Sequence, residues 1–96
     1  MYNFNVWIEA TEPAQLKKYF DNVLQDSGFN ICGYIDKHFE PFGYTGLYLL
    51  SESHFAIHTF PEEQKTYIEL SSCIEEPFIK FKKIFNHGNK YRLEKS

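Results

Sequence analysis

The chain predicts an α+β fold: a two-layer α/β sandwich in which an antiparallel-rich sheet carries two helices on one face. Three observations predict it. Apolar residues recur at every second position through much of the 96 residues, the period of a half-buried strand. Two segments space them by three and four instead, the period of a helix with one buried stripe. Short turns rich in Pro and Gly separate these segments, with no linker, repeat or low-complexity stretch, so residues 1–96 are expected to form a single domain.

The first strand is expected over Tyr2 to Ala10, with Tyr2, Phe4, Val6 and Ile8 on one side and Asn3, Asn5, Trp7 and Glu9 on the other. Thr11 is then expected to cap a helix whose first turn holds Pro13, where a missing N–H leaves nothing unpaired. Leu16, Tyr19, Phe20, Val23 and Leu24 form its apolar stripe, and Gly28 ends it. Phe29 to Phe39 reads as a second strand, with a bulge at Gly33. Glu40-Pro41-Phe42-Gly43 turns the chain into a third strand over Tyr44 to Ser51. In the fourth, Phe55, Ile57 and Thr59 alternate with His54, Ala56 and His58 until Pro61, which cannot donate to a ladder. Pro61 to Gln64 is a turn, and Lys65 to Ser71 a fifth strand. Pro77 opens a second helix with Phe78, Phe81 and Phe85 along one side and Ile84 beside them, closed by His87-Gly88. A short last strand is expected around Tyr91 to Leu93.

Composition excludes several classes of function. Ten Lys and Arg against thirteen Asp and Glu give a net charge of −3 with the signs interspersed, which argues against a nucleic-acid partner. Two cysteines, Cys32 and Cys73, are too few for a disulfide framework and suit a reducing compartment. No apolar run approaches a membrane span, and the first residues lack the order of a signal peptide. A cytoplasmic protein that meets neither membrane nor nucleic acid is expected. Aromatic residues make up 19% of the chain, which helps a small core bury enough surface.

The stretch from Leu50 to Glu62 concentrates the chemistry: two serines, two histidines and two glutamates within an otherwise strand-like segment. With a hairpin turn at Glu52-Ser53, Tyr48, Leu50, Phe55 and Ile57 share the face that meets the helices. Thr45, Leu47, Leu49, His54, Ala56 and His58 share the other, with His58 opposite Leu47 and Phe60 opposite Thr45. That second face is too apolar for open water. A second copy is expected to cover it, making a dimer of four layers, αββα. Ser53 as a hydrolase nucleophile lacks a glycine-flanked elbow. A zinc site on His54, His58 and Cys73 is disfavoured, because strand residues four apart are separated by roughly 13 Å. No metal is expected.

The segment Ser51-Glu52-Ser53-His54-Phe55-Ala56-Ile57-His58-Thr59-Phe60-Pro61-Glu62 resembles the processing and catalytic segment of prokaryotic S-adenosylmethionine decarboxylase proenzymes. The resemblance extends upstream through Phe39-Glu40-Pro41-Phe42-Gly43-Tyr44-Thr45-Gly46 and downstream to Cys73. It implies a carboxy-lyase that makes its own cofactor and serves polyamine (spermidine) synthesis. Ser53 attacks the preceding carbonyl, the Glu52–Ser53 bond becomes an ester, and elimination leaves a pyruvoyl group where Ser53 stood. That group forms a Schiff base with the amine of S-adenosylmethionine and acts as electron sink for loss of CO₂.

The resemblance also implies the roles of single residues. His58 removes the α-proton during elimination, and the Thr45 hydroxyl steadies the cyclic intermediate. Cys73 returns a proton to the substrate carbon. Glu62 holds the ribose hydroxyls, and Phe39 lies near the adenine or the sulfonium. The family's dimeric arrangement implies active sites shared between two chains. Thr45 stands for a usual serine, Phe60 for a tryptophan and Ile74 for a glycine. Those departures keep two alternatives in view: a pyruvoyl-dependent decarboxylase of another amino acid, and an unprocessed homologue acting as a binding or regulatory subunit.

Overall fold

The computed structural model describes residues 1–88. In chain order these form β1 (Tyr2–Ile8), α1 (Pro13–Ser27), β2 (Ile31–His38), β3 (Tyr44–Leu50), β4 (Ser53–Phe60), a single 3-10 turn (Pro61–Glu63), β5 (Lys65–Ser72) and α2 (Glu75–Gly88). The strands make one five-stranded sheet in the order β1-β5-β4-β3-β2, antiparallel throughout. Both helices pack on one face of it, giving the expected α+β sandwich. The strand anticipated around Tyr91 to Leu93 lies outside the described residues.

The apolar alternation becomes a single core between sheet and helices. Val6, Ile8, Tyr48, Leu50, Phe55, Ile57, Ile68 and Leu70 point from the strands toward Leu16, Phe20, Val23 and Leu24 of α1 and Phe78, Phe81 and Phe85 of α2. Its centre is a ring cluster, with Phe20 4.8 Å from Phe55 and Phe55 5.5 Å from Phe81 between centroids. Truncating such a ring costs about 3–5 kcal/mol, so these three residues alone tie both helices to β4.

Local details depart from the sequence reading in ways the chemistry explains. Glu12, not Thr11, caps α1, because its carboxylate reaches back to the Gln15 N–H at 2.9 Å. Gly28 ends the helix as expected, at a φ of 99° where a side chain would be strained. Helix α2 starts at Glu75, two residues before Pro77, so that Glu75 and Glu76 sit at the positive end of its dipole. The β2–β3 register shifts between Ile31 and Gly33, where the bulge was anticipated. The β3–β4 hairpin closes one residue earlier than expected, on Ser51-Glu52, so His58 pairs with Thr45 and not with Leu47, while Phe60 lies beyond the paired residues of β3. The shift is two residues in register, so every side chain keeps its face.

At the β2 edge a polar seam runs under α1. The buried Tyr48 donates to Asp21 Oδ1 at 2.6 Å, and Tyr44 donates to Asp36 Oδ2 at 2.6 Å while also bonding Tyr34. Gly46 lies below this seam, where a Cβ would run into the Tyr34 hydroxyl. Burial first, then the carboxylate partner, pushes the Tyr48 and Tyr44 phenols well above their ordinary value of 10.0. Their stabilising contribution is therefore complete below pH 10 and is lost as the pH climbs beyond it, because the unfolded phenols ionise first. Thermal denaturation followed from pH 7 upward should show a midpoint that falls from about pH 10. The fall should be shallower in Tyr48→Phe, and an equal slope in that variant would refute the assignment.

Candidate active site

The residues singled out in the sequence fall into two groups at opposite ends of β4. The first surrounds the Glu52–Ser53 bond. Ser51 and Glu52 form the two-residue connection between β3 and β4, and Glu52 has a φ of 59°, a left-handed conformation that a side chain other than glycine adopts at a cost. Contacts on both sides hold it there. From the β2 side, Asn30 accepts the Ser51 N–H at 3.1 Å and its side chain donates to Ser51 Oγ at 3.2 Å. From the β5 side, the Cys73 N–H donates to the Glu52 carbonyl oxygen at 3.1 Å. The carbonyl of the bond before Ser53 is thus polarised by a backbone donor.

Ser53 Oγ lies 2.7 Å from that same carbonyl oxygen and 2.7 Å from Ser72 Oγ. Ser53 pairs directly with Ser72 across β4 and β5, which puts the two hydroxyls on the helix-facing side of the sheet. Cys73, the residue after β5, has an exposed free thiol and follows Ser72 directly. Hydroxyl, polarised carbonyl and strained turn together are what an intramolecular acyl shift requires.

The second group lines a cleft of about 240 Å³ at the far end of β4, on the helix-free face. Phe39, Thr45, His58 and Glu62 all contribute to its wall, together with Phe42 and Phe60. The β2–β3 turn carries Phe39 and Phe42, and the 3-10 turn carries Glu62, so the two loops close over one rung of the sheet. In that rung Thr45 Oγ1 is 3.2 Å from His58 Nδ1. Tyr67, next to His58 on β5, lies nearly parallel to the imidazole at 6.4 Å, and Trp7 packs on Tyr67 at 5.1 Å. If Nδ1 donates to Thr45, the His58 Nε2 keeps a free lone pair and can accept a proton.

The two groups do not meet within one chain. Five residues of strand separate Ser53 from His58, roughly 16 Å at normal strand rise. The register of β4 is unbroken against both neighbours from Ser53 to Thr59, so no bulge brings the ends together. Their side chains also face opposite sides of the sheet. His54 and Cys73 do not join His58, and among the described residues no three His, Cys, Asp or Glu side chains converge as metal ligands. No helix among them is long and apolar enough to cross a membrane.

Between the two groups the helix-free face is bare and apolar. Ile35 is 70% exposed, Leu49 62% and Leu47 40%, and they adjoin His54 around a shallow apolar depression. Two contributors escaped the sequence reading. The alternation of Thr66, Ile68 and Leu70 points Ser72 inward, but only the β4–β5 register sets it opposite Ser53. Tyr67 likewise shares a rung with His58 through that register alone.

A relative from Bacillus cereus described as S-adenosylmethionine decarboxylase proenzyme 2 is 45% identical over 47 residues, covering 49% of this chain and 38% of the relative. An S-adenosylmethionine decarboxylase proenzyme from Prochlorococcus marinus is 36% identical over 65 residues, covering 68% of this chain and 52% of the relative. The chain thus matches about half or less of the length of these curated relatives. The crystal structure of the adenosylmethionine decarboxylase from Aquifex aeolicus superposes with a TM-score of 0.72 over 98% of this chain and 84% of that one, at 17% identity, which establishes a shared fold. The family described as S-adenosylmethionine decarboxylase matches residues 8–90, nearly the whole chain, and the protein belongs to that family.

Proposed function

We propose that the protein is a self-processing decarboxylase of S-adenosylmethionine in the route to spermidine, working through a pyruvoyl group made from Ser53. The observation that carries this reading is the Ser53 hydroxyl, 2.7 Å from the Glu52 carbonyl oxygen in a strained turn. Attack of Oγ on the Glu52 carbonyl carbon forms the C–O bond, and the C–N bond breaks as the hydroxyl proton passes to the Ser53 nitrogen. The Cys73 N–H stabilises charge on the carbonyl oxygen meanwhile. A base then removes the Ser53 α-proton, the Glu52 carboxylate leaves, and water releases the nitrogen as ammonia.

His58, within hydrogen-bond reach of Thr45, suits the base, and the Thr45 hydroxyl, supplied from the same end of β4, is the group we assign to steadying the cyclic intermediate. The pyruvoyl group supplies an electrophilic carbonyl that accepts the substrate amine and the electrons released with CO₂. Glu62 can take the ribose hydroxyls, and Phe39 offers a ring face to adenine or to the sulfonium cation. Cys73, adjoining the Ser53 end, can return a proton to the substrate carbon.

The separation of the two groups, and the bare face between them, support a homodimer whose facing sheets build two shared sites, each taking Ser53 and Cys73 from one chain and Thr45, His58 and Glu62 from the other. Exposed Leu49 and Ile35 favour such pairing. Intact mass spectrometry of the purified protein tests the processing step. Two fragments are expected, divided between Glu52 and Ser53, the second lacking an amino group at its start. Release of CO₂ from carboxyl-labelled S-adenosylmethionine tests the substrate. One full-length chain would instead favour a non-catalytic homologue.

A further inference from the structure

We propose that Ser72 is the positioning residue for the acyl shift, holding the Ser53 hydroxyl so that its lone pair and not its proton faces the Glu52 carbonyl. This rests on the self-cleavage reading and adds to it a residue that acts through Ser53.

A serine hydroxyl has one proton, and the structure offers it two acceptors. Ser53 Oγ is 2.7 Å from the Glu52 carbonyl oxygen and 2.7 Å from Ser72 Oγ. When the proton points at the carbonyl oxygen, the hydroxyl is tied to the group it must attack and offers it no electron pair. When the proton points at Ser72, a lone pair is free to approach the carbonyl carbon.

Ser72 is arranged to be the acceptor. It is fully buried, so no water competes for it. Its own proton is directed to the Ile74 carbonyl at 3.0 Å, and the Ile74 N–H donates back to its oxygen at 3.0 Å. With its proton committed elsewhere, Ser72 Oγ has a lone pair left for Ser53. The same short segment places the Cys73 N–H on the Glu52 carbonyl oxygen, so the end of β5 grips both partners of the reaction at once. Ser72 neither gains nor loses a proton overall: the Ser53 hydroxyl proton ends on the departing Ser53 nitrogen.

The test compares the rate at which freshly purified full-length chains cleave, alone and with hydroxylamine, which captures the ester and cuts the chain without elimination. Ser72→Ala should slow cleavage about a hundredfold, the loss that a misplacement of about 1 Å at a reacting group can cause. Hydroxylamine should not rescue it, because the ester itself forms slowly. Ser72→Thr, which keeps the hydroxyl, should cleave at close to the wild-type rate. If Ser72→Ala does not fold, judged by circular dichroism, Ser72→Cys carries the comparison, since a thiol fills the site but accepts poorly. Wild-type rates in Ser72→Ala or Ser72→Cys would overturn the proposal, as would full rescue by hydroxylamine, which would place the defect after ester formation. If the wild-type chain itself never cleaves, with or without hydroxylamine, the self-processing reading falls and this inference with it.

Discussion

Chains carrying Ser53→Ala are expected to remain whole indefinitely, with no cut between Glu52 and Ser53. The substitution removes the atom that attacks, and Ser72 cannot replace it because its oxygen is held in the Ile74 loop. The fold should survive: Ser53 is paired through the ladder to Leu50 and Ser72, and losing its side-chain hydrogen bonds costs about 1 kcal/mol. Mass spectrometry reads the first expectation and thermal denaturation the second. Cleavage of this variant at the same bond would rule out Ser53 as the source of a pyruvoyl group.

Mixing Ser53→Ala chains with His58→Ala chains should restore cleavage that neither shows alone. Each mixed dimer would hold one complete site, pairing Ser53 of the His58→Ala chain with His58 of the other, and one site lacking both. With random exchange about half of the His58→Ala chains should be cut, and none of the Ser53→Ala chains. The structural ground is the roughly 16 Å of unbroken strand between the two residues, against the approach of about 3 Å that proton transfer needs. Mixed dimers that form yet stay whole, while wild-type chains cleave, would mean that His58 acts within its own chain or not at all.

The fold was legible in the sequence because its signals are local. Alternation fixed which face of each strand meets the helices, and the Phe78, Phe81, Phe85 spacing fixed the buried side of α2. The hairpin register was less legible, since closing it on Ser51-Glu52 puts a glutamate at positive φ, a conformation that sequence argues against. That this cost is accepted beside the bond expected to break is consistent with strain serving the chemistry. For the candidate site, resemblance named Phe39, Thr45, His58 and Glu62, and the structure places all four around one cleft. The role of His58 among them rests on the mixing experiment above. Neither Ser72 nor Tyr67 could be singled out, because each acquires its neighbour through pairing between strands, and nothing in its own segment announces which residue will lie opposite.

The strand order has a consequence for when the chain can be cut. A break after Glu52 would leave one piece with β1, β2 and β3 and another with β4 and β5, yet in the sheet the second piece lies wedged between β1 and β3 of the first. Neither piece owns a contiguous sheet, and α1 and α2, one from each, close over the same core. Assembly would therefore come before any such cut. Once cut, the two pieces would stay interleaved like clasped fingers, but unfolding would part them, and recovery would become a second-order encounter that slows with dilution. Processing would thus turn a chain that can refold by itself into one whose native state depends on having been made whole first.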